Sequence, residues 1–294
     1  MELVRKGKVK EVYALGEKEL LFVFTDNISV FDKIIPSKIP YKGASLARTS
    51  AHWFKIVSNM GIKTHFIELP EMNKMKVRRF QITMKGKKDG NNFLIPLEFI
   101  TRYYIAGSFY DRLLKGKINP AEIGIKNVKY GEPLPQPFFE VTTKFEEYDR
   151  PLSFEEAMEI GGLNKDELDD IKEKILKIDD VINKDVMKRG LLHVDGKKEW
   201  ALDDEREPVL VDTFGTADED RFWDLEEYKK GNFVELSKEF VRKYYKDIGY
   251  YDMLMKAREK GEKEPDIPPL PEDLVKKTSE LYLMLYEKIT GEKW

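Results

Sequence analysis

Four charged residues about two-thirds of the way along the chain have types and spacing suited to phosphate and metal chemistry. Asp195, Lys197 and Glu199 alternate along one segment, and Asp212 follows a second segment, Val209–Val211, that is apolar. Because side chains alternate between the two faces of a β-strand, the first three would share one face. Carboxylates beside an ammonium group suit a divalent cation and the phosphates of a nucleotide.

A hairpin would bring these residues together. If its turn is centred on Glu205-Arg206, Glu199 lies directly opposite Asp212. Two carboxylates that face each other across a ladder repel, and a bound Mg²⁺ would remove that repulsion while Lys197 contacts a phosphate oxygen. The alternative is a solvated polar face on which Lys197 neutralises its neighbours.

A second constellation has the features of an anion site. Arg102 lies near the end of a predicted strand, and Ala106-Gly107-Ser108 begins a predicted helix. Helix N-terminal amides attract phosphate, and glycine permits close approach of the backbone. Arg102 would add a forked contact and Ser108 a hydroxyl. Alternatively, Ser108 caps the helix and Arg102 forms an ordinary salt bridge.

Near the N-terminus, Gly7 lies among Lys6, Lys8 and Lys10, directly before a predicted hairpin. This basic segment would fold over the phosphates of a nucleotide, although three solvated lysines are the simpler alternative. A cation site, an anion site and a basic lid together indicate phosphate-nucleotide chemistry.

The elements that must position these residues are strands early in the chain and helices late. Apolar spacing predicts a hairpin over 9–25, a helix over 44–61, further strands between 63 and 105, and a short helix after Gly107. Residues 117–150 are rich in Pro and Gly and predict a long ordered loop. Helices follow over 153–160 and 165–188, and the C-terminal third is helical. This order indicates an α+β protein.

Composition excludes several classes of protein. The 294 residues include 51 Lys and Arg against 54 Asp and Glu, so a nucleic-acid binder with a global positive field is not expected. There is no cysteine, and the three histidines lack metal-ligand spacing, which excludes disulfides and disfavours zinc. With no apolar signal core and no membrane-length segment, we expect a cytoplasmic protein that binds no membrane. The sequence leaves open whether the chain forms a homo-oligomer.

Several segments, in this order, resemble the family of phosphoribosylaminoimidazole-succinocarboxamide synthases (SAICAR synthetases) in its longer form. They are GKVKEVY, TDNISVFDKIIPSKIPYKGASLARTSAHWF, PLEFITRYYIAGS, LPQPFFEVTTKFEEYD, DGKKE, VLVDTFGTADEDRFWD and PPLPEDLVKKTSELYLMLYEKITG. The resemblance implies an α+β fold related to ATP-grasp and kinase-like nucleotide-binding folds, with antiparallel sheets and flanking helices. It implies a nucleotide-covering domain over 1–100 and a domain over 101–294 with the metal and substrate sites.

The resemblance also implies an ATP- and Mg²⁺-dependent ligase that joins carboxyaminoimidazole ribonucleotide to L-aspartate through an acyl phosphate. For the nucleotide it implies Gly7, Lys8, Lys10, Glu98, Glu199 and Asp212, with Glu199 and Asp212 as metal ligands. The catalytic residues that it implies are Lys197, Lys144 and Asp195, with Lys197 on the nucleotide phosphates. For the substrates it implies Arg102, Ser108 and Arg221 on the 5′-phosphate, Asp195 and Asp218 nearby, and Ser29, Asp32 and Lys42 at the cleft.

The chain departs from the family pattern at several positions. Thr213 stands where a second acid is expected beside the metal, and Tyr148 stands where a histidine is expected; Trp200, Ala201, Ala217 and Thr101 are further departures. Thr213 and Tyr148 motivate one alternative, a paralogous ligase with another phosphorylated carboxylate or amine. A second alternative is a nucleotide-binding regulatory module without catalysis.

Overall fold

The computed structural model describes residues 1–146, 149–236 and 238–294, so Tyr148 lies outside the described residues. The chain forms two compact units, each assembled from separate segments. Unit 1 comprises Met1–His52, Ile67–Arg78 and Glu235–Trp294, and unit 2 comprises Trp53–Phe66 and Arg79–Val234. The division at residue 100 stays a prediction.

The strands are, along the chain, β1 (Glu2–Lys6), β2 (Lys10–Ala14), β3 (Glu19–Phe24), β4 (Asn27–Val30), β5 (Lys33–Lys38), β6 (Phe66–Glu71), β7 (Lys74–Arg78), β8 (Gln81–Ile82), β9 (Phe93–Leu94), β10 (Leu97–Tyr104), β11 (Pro133–Thr143), β12 (Pro151–Leu152), β13 (Leu191–Leu202), β14 (Pro208–Val211) and β15 (Arg221–Asp224). The helices are α1 (Lys42–Asn59), α2 (Gly107–Leu114), α3 (Phe154–Gly161), α4 (Lys165–Met187), α5 (Leu225–Lys229), α6 (Glu239–Asp247), α7 (Tyr250–Lys260) and α8 (Glu272–Thr290). Among the residues described, no helix is long and apolar enough to cross a bilayer.

Unit 1 contains a sheet with the strand order β1-β2-β3-β7-β6 and a separate hairpin, β4-β5. The predicted hairpin near the N-terminus is confirmed, because β2 and β3 pair in antiparallel register from Lys10 opposite Phe24 to Ala14 opposite Leu20. Helices α6 to α8 lie in the same unit, as expected for the C-terminal third.

Unit 2 is organised around strand β13. This twelve-residue strand pairs with β10, β9, β14 and β15 at different points along its length. Helix α4 packs against it with apolar residues spaced three or four apart, including Ile171, Ile175 and Ile178, all buried. A capping box between Asn164 and Glu167 begins this helix. Helix α4 therefore buries one face of β13.

The prediction of a loop throughout 117–150 is wrong, because β11 (Pro133–Thr143) is an eleven-residue strand. It pairs antiparallel with β10 in regular register, from Thr143 opposite Leu97 to Phe138 opposite Arg102. Its three prolines fall before that stretch, where the register shifts. Proline removes a ladder donor and so hides a strand from sequence patterns.

The predicted hairpin register is wrong by one residue. Glu199 lies opposite Val211 and not Asp212. The turn is closed by Asp203, whose side chain accepts hydrogen bonds from the amides of Glu205 (3.0 Å) and Glu207 (2.9 Å). These bonds hold a five-residue turn centred on Glu205, which leaves Asp212 beyond the end of β14.

On the face of β13 toward α4, Lys198 is fully buried and pairs with Asp179, which also accepts from Tyr103 Oη at 2.9 Å. A buried charge is tolerated only when it is paired and hydrogen-bonded. This pair therefore attaches α4 to the central strand.

Replacing Lys198 with Met should lower the free energy of unfolding by about 3–5 kcal/mol, because the variant leaves the Asp179 carboxyl buried without its partner. Urea unfolding followed by circular dichroism measures the change. The control is Lys165→Met on the exposed face of α4, where Lys165 pairs with Asp169 at 2.6 Å in solvent and little change is expected. Equal effects of the two substitutions would contradict the argument.

Candidate active site

The middle of the unit 2 sheet carries charged side chains on one face. Ile100 of β10 lies opposite both Glu140 of β11 and Lys197 of β13, so alternation places the residues two positions away on the same face. We call this surface the polar face; its members are Glu98, Arg102, Glu140, Asp195, Lys197 and Glu199. Sequence alternation correctly predicted that the three β13 residues share it.

At one end of the polar face lies a cluster of lysines and carboxylates, the lysine cluster. The Lys197 ammonium lies 2.8 Å from Glu98 Oε1, 3.5 Å from Glu219 Oε2 and 3.7 Å from Glu199 Oε1. Lys144, just after β11, pairs with Glu199 and lies 3.9 Å from Glu98. Each ammonium therefore has more than one carboxylate partner.

Burial and charge compete in setting the pKa values of this cluster. Burial alone would lower the pKa of Lys197, but the negative charges of its carboxylate neighbours outweigh burial and raise it. The same competition raises the pKa of Lys144. Burial, together with repulsion from Glu199, raises the pKa of Glu98 to about 7 although Lys197 acts in the opposite direction. Both lysines are thus charged at neutral pH, and Glu98 is only partly so.

Asp212 joins this cluster through backbone geometry rather than through strand pairing. It has a φ of 61°, and its carbonyl oxygen lies 3.2 Å from His65 Nε2. Its charge helps to raise the pKa of Lys144. The two predicted metal ligands, Glu199 and Asp212, therefore both act on one buried ammonium group, in spite of the wrong register.

Two carboxylates that act on one ammonium group suit Mg²⁺, which commonly takes one or two protein carboxylates and fills its other positions with water and nucleotide phosphates. No group of three or more acidic or histidine side chains is arranged for a metal anywhere in the described ranges. The donor set fits a magnesium–nucleotide complex better than a metal held by protein alone.

The family pattern has an acid at the position of Thr213. In this chain Glu219 brings a carboxylate to the cluster instead. The Thr213 hydroxyl lies 3.4 Å from Glu219 Oε1, and the other oxygen of Glu219 faces Lys197. The sequence did not identify Glu219, because its only signal was the presence of an acid six residues after Thr213.

The opposite end of the polar face is an arginine cluster. Arg102 donates to Glu140 Oε1 from Nε (3.0 Å) and Nη2 (2.6 Å), and its Nη1 lies 3.3 Å from Asp195 Oδ2. Arg112 donates to the other oxygen of Glu140 at 2.6 Å, and Arg221 Nη1 lies 3.5 Å from Asp195 Oδ2. Glu140 was also missed, because its strand was predicted as loop.

The arginine cluster lies beside the start of helix α2. Ala106 is the N-cap and offers no side-chain bond, so the interpretation of Ser108 as a cap is wrong. Ser108 is exposed in the first turn. Gly107 has a φ of 51°, and a Cβ there would lie 2.6 Å from both terminal nitrogens of Arg221. A glycine is needed for the guanidinium to approach this backbone. Asp218 lies half-buried in the loop before Arg221.

The remaining predicted site residues lie in unit 1. The amide of Gly7 donates to Lys10 O (2.8 Å), and the Lys8 ammonium lies 2.8 Å from Asp32 Oδ1 at the tip of the β4–β5 hairpin. Ser29 lies in β4. Lys42 is fully buried at the start of α1, with its ammonium 5.1 Å from the ring centroid of Tyr282. Unit 1 thus brings Lys8 and Asp32 together, whereas Lys42 is part of its core.

Comparison with known proteins gives consistent matches over the whole chain. The family model described as SAICAR synthetase matches residues 3–257. The chain is 56% identical to the phosphoribosylaminoimidazole-succinocarboxamide synthase of Thermoplasma acidophilum and 58% identical to that of Thermoplasma volcanium, in each case over all of both chains.

Solved structures agree. The SAICAR synthase of Saccharomyces cerevisiae complexed with SAICAR superposes with a TM-score of 0.79 at 28% identity, covering 99% of this chain and 95% of that one. A SAICAR synthetase in complex with ADP gives 0.70 at 27% identity, covering 99% and 98%. The expected α+β fold is confirmed.

These matches define the class of protein as an ATP-dependent ligase of purine biosynthesis. The chain belongs to the SAICAR synthetase family. The matches favour neither the paralogous ligase nor the non-catalytic module.

Replacing Glu98 with Gln should change how stability depends on pH. Since the pKa of this carboxyl is raised from 4.5 to about 7 in the folded protein, its contribution to stability is complete below pH 4.5 and is lost as the pH rises through 7. Between pH 5 and 8, the free energy of unfolding of Glu98→Gln should therefore increase relative to that of the wild type by about 2–3 kcal/mol.

Urea unfolding at several pH values measures this increase. Glu205→Gln, in the exposed turn, is the control. The raised pKa would be contradicted if the free energies of unfolding of Glu98→Gln and wild type differed by the same amount at every pH.

Proposed function

We propose that this protein forms an amide between the carboxylate of carboxyaminoimidazole ribonucleotide and the amine of L-aspartate, with ATP and Mg²⁺. The observation that carries the proposal is the polar face, which has a lysine cluster at one end and an arginine cluster at the other on the same three strands. Relatives solved with SAICAR and with ADP support it.

In this proposal the lysine cluster binds the nucleotide. Glu199 and Asp212 would hold Mg²⁺, which would supply positive charge beside the nucleotide phosphates. Lys197 and Lys144, both charged, would contact phosphate oxygens. Glu98 would position Lys197 through their 2.8 Å contact. In unit 1, the proposed role of Gly7, Lys8 and Lys10 is to cover the phosphates.

The arginine cluster would bind the 5′-phosphate of the ribonucleotide. Arg221 against Gly107, with the α2 amides and the Ser108 hydroxyl, forms a set of donors suited to a dianion. Arg102 is held by Glu140 and Asp195, so its guanidinium is oriented before substrate arrives. Asp218 would lie near the substrate. The roles of Ser29 and Asp32 at the cleft stay predictions, and Lys42 lies in the core of unit 1.

The chemistry has two steps. A carboxylate is a poor electrophile, so one of its oxygens first attacks the γ-phosphorus of ATP; a P–O bond forms, the β,γ bridge breaks and ADP leaves. The aspartate amine then attacks the acyl carbon, a C–N bond forms, and phosphate leaves with the former carboxylate oxygen. The amine loses a proton on the way. The protein contributes mainly orientation and positive charge around the phosphoryl group.

Replacing Asp212 with Asn should reduce turnover by on the order of a hundredfold or more, because the site loses one of two metal-binding carboxylates. The fold should survive, since Asn tolerates the left-handed backbone found at this position. Phosphate release measures turnover, and electron paramagnetic resonance of Mn²⁺ with ADP measures metal binding. The control is Asp204→Asn in the exposed turn. Wild-type metal binding by Asp212→Asn would remove the metal assignment.

Replacing Gly107 with Ala should raise KM for the ribonucleotide by about tenfold or more, because the new methyl group displaces the Arg221 guanidinium and a charged hydrogen bond is lost. Gly116→Ala is a matched control: its φ is also positive, at 67°, but no atom lies within 4 Å of the added carbon. An equal rise in KM for the ribonucleotide in both variants would show that backbone strain, and not displacement of Arg221, causes the rise.

A further inference from the structure

Behind the polar face lies a buried ionisable pair that the chemistry above does not use. His193 Nε2 lies 2.7 Å from Asp220 Oδ2, and both side chains are fully buried. Because a carboxylate can only accept, the Nε2 hydrogen is the donor. Nδ1 lies 2.8 Å from Asn183 Oδ1 of α4. The pair therefore links strand β13, helix α4 and the loop before β15.

A β-bulge explains how this pair comes to lie behind the site. His193 lies opposite Phe222 and Asp195 lies opposite Arg221, so Val194 is the extra residue. Since Phe222 and Arg221 are consecutive, their side chains point to opposite faces. The bulge thus sends His193 to the back of the sheet while Asp195 faces the front.

Gly196 completes this arrangement. A Cβ on Gly196 would lie 2.3 Å from Asp220 Oδ2 and 2.9 Å from His193 Nε2, so the pair rests directly on the glycine backbone. Its neighbours in the chain, Asp195 and Lys197, both belong to the polar face.

Asp220 also shapes its own loop. Its second oxygen accepts from the Gly215 amide at 3.0 Å, and its own amide donates to Thr216 O at 2.9 Å. Gly215 is held from its other side by Trp53, whose Nε1 donates to Gly215 O at 3.1 Å. The loop that ends at Arg221 is therefore fixed at the residue directly before that arginine.

We propose that the His193–Asp220 pair is a positioning device for Arg221, setting the guanidinium against Gly107 where it receives the substrate phosphate. This rests on the phosphate-binding role of Arg221 in the proposed function. Both side chains are fully buried, so His193 and Asp220 act through the backbone of the loop and the bulge.

The test measures KM for the ribonucleotide, KM for ATP and kcat in Asp220→Ala. We expect KM for the ribonucleotide to rise about tenfold or more, as for loss of a charged hydrogen bond, with KM for ATP and kcat within about twofold of wild type. Asp220→Asn should restore most of the affinity, since its amide can accept from Gly215 and donate to the other tautomer of His193.

Asp179→Ala is the matched control, because it removes the partner of another fully buried pair on β13, that with Lys198. It should lower stability and leave all three kinetic parameters near wild type. If Asp220→Ala does not fold, Gly196→Ala displaces the same carboxylate without backbone strain and should give the same selective rise in KM.

Wild-type KM values in the folded variants, or equal changes in Asp220→Ala and Asp179→Ala, would overturn the positioning role. Arg221→Ala separates this result from the proposed function. If it leaves KM for the ribonucleotide unchanged, the phosphate role of Arg221 fails and the positioning role fails with it. If it raises that KM while Asp220→Ala does not, only the positioning role fails.

Discussion

An ammonium group that is buried in a protein loses its hydration and needs carboxylate partners in its place. Lys197 and Lys198 have such partners on opposite faces of one strand. Lys198 has a single carboxylate, Asp179, and the pair is sealed against α4. Lys197 has three carboxylate neighbours and stays partly accessible, with 28% of its side chain exposed. The first arrangement stabilises the fold, whereas the second leaves negative charge in excess at an open site.

That excess is a property of the whole lysine cluster. Among the described residues, the four carboxylates Glu98, Glu199, Asp212 and Glu219 surround the pair Lys144 and Lys197. The raised pKa of Glu98 has the same cause, since burial and a like charge both disfavour its ionised form. A divalent cation would relieve this imbalance, which is why the cluster suits a magnesium–nucleotide complex despite having few protein ligands.

The two ends of the polar face are connected by backbone pairing. Glu98 and Arg102 lie four residues apart on β10, so their spacing is set by strand geometry and not by a mobile loop. Such a frame can hold a nucleotide and a phosphorylated acceptor at a defined separation. The bulge at Val194 lets one short stretch of β13 present Asp195 to the front and His193 to the back.

The sequence by itself determined the α+β class, the early hairpin, the long helix α4 and the shared face of Asp195, Lys197 and Glu199, because these follow from local periodicity and capping. Its family-like segments also determined the class of enzyme. Tertiary structure alone decided which carboxylates meet which lysines. The one-residue error in the hairpin arose from side-chain bonds of Asp203 within the turn, and β11 was hidden by its prolines, so Glu140 could not be placed. Glu219 and the His193–Asp220 pair depend on a loop and a bulge whose geometry comes from long-range contacts, which local patterns do not record.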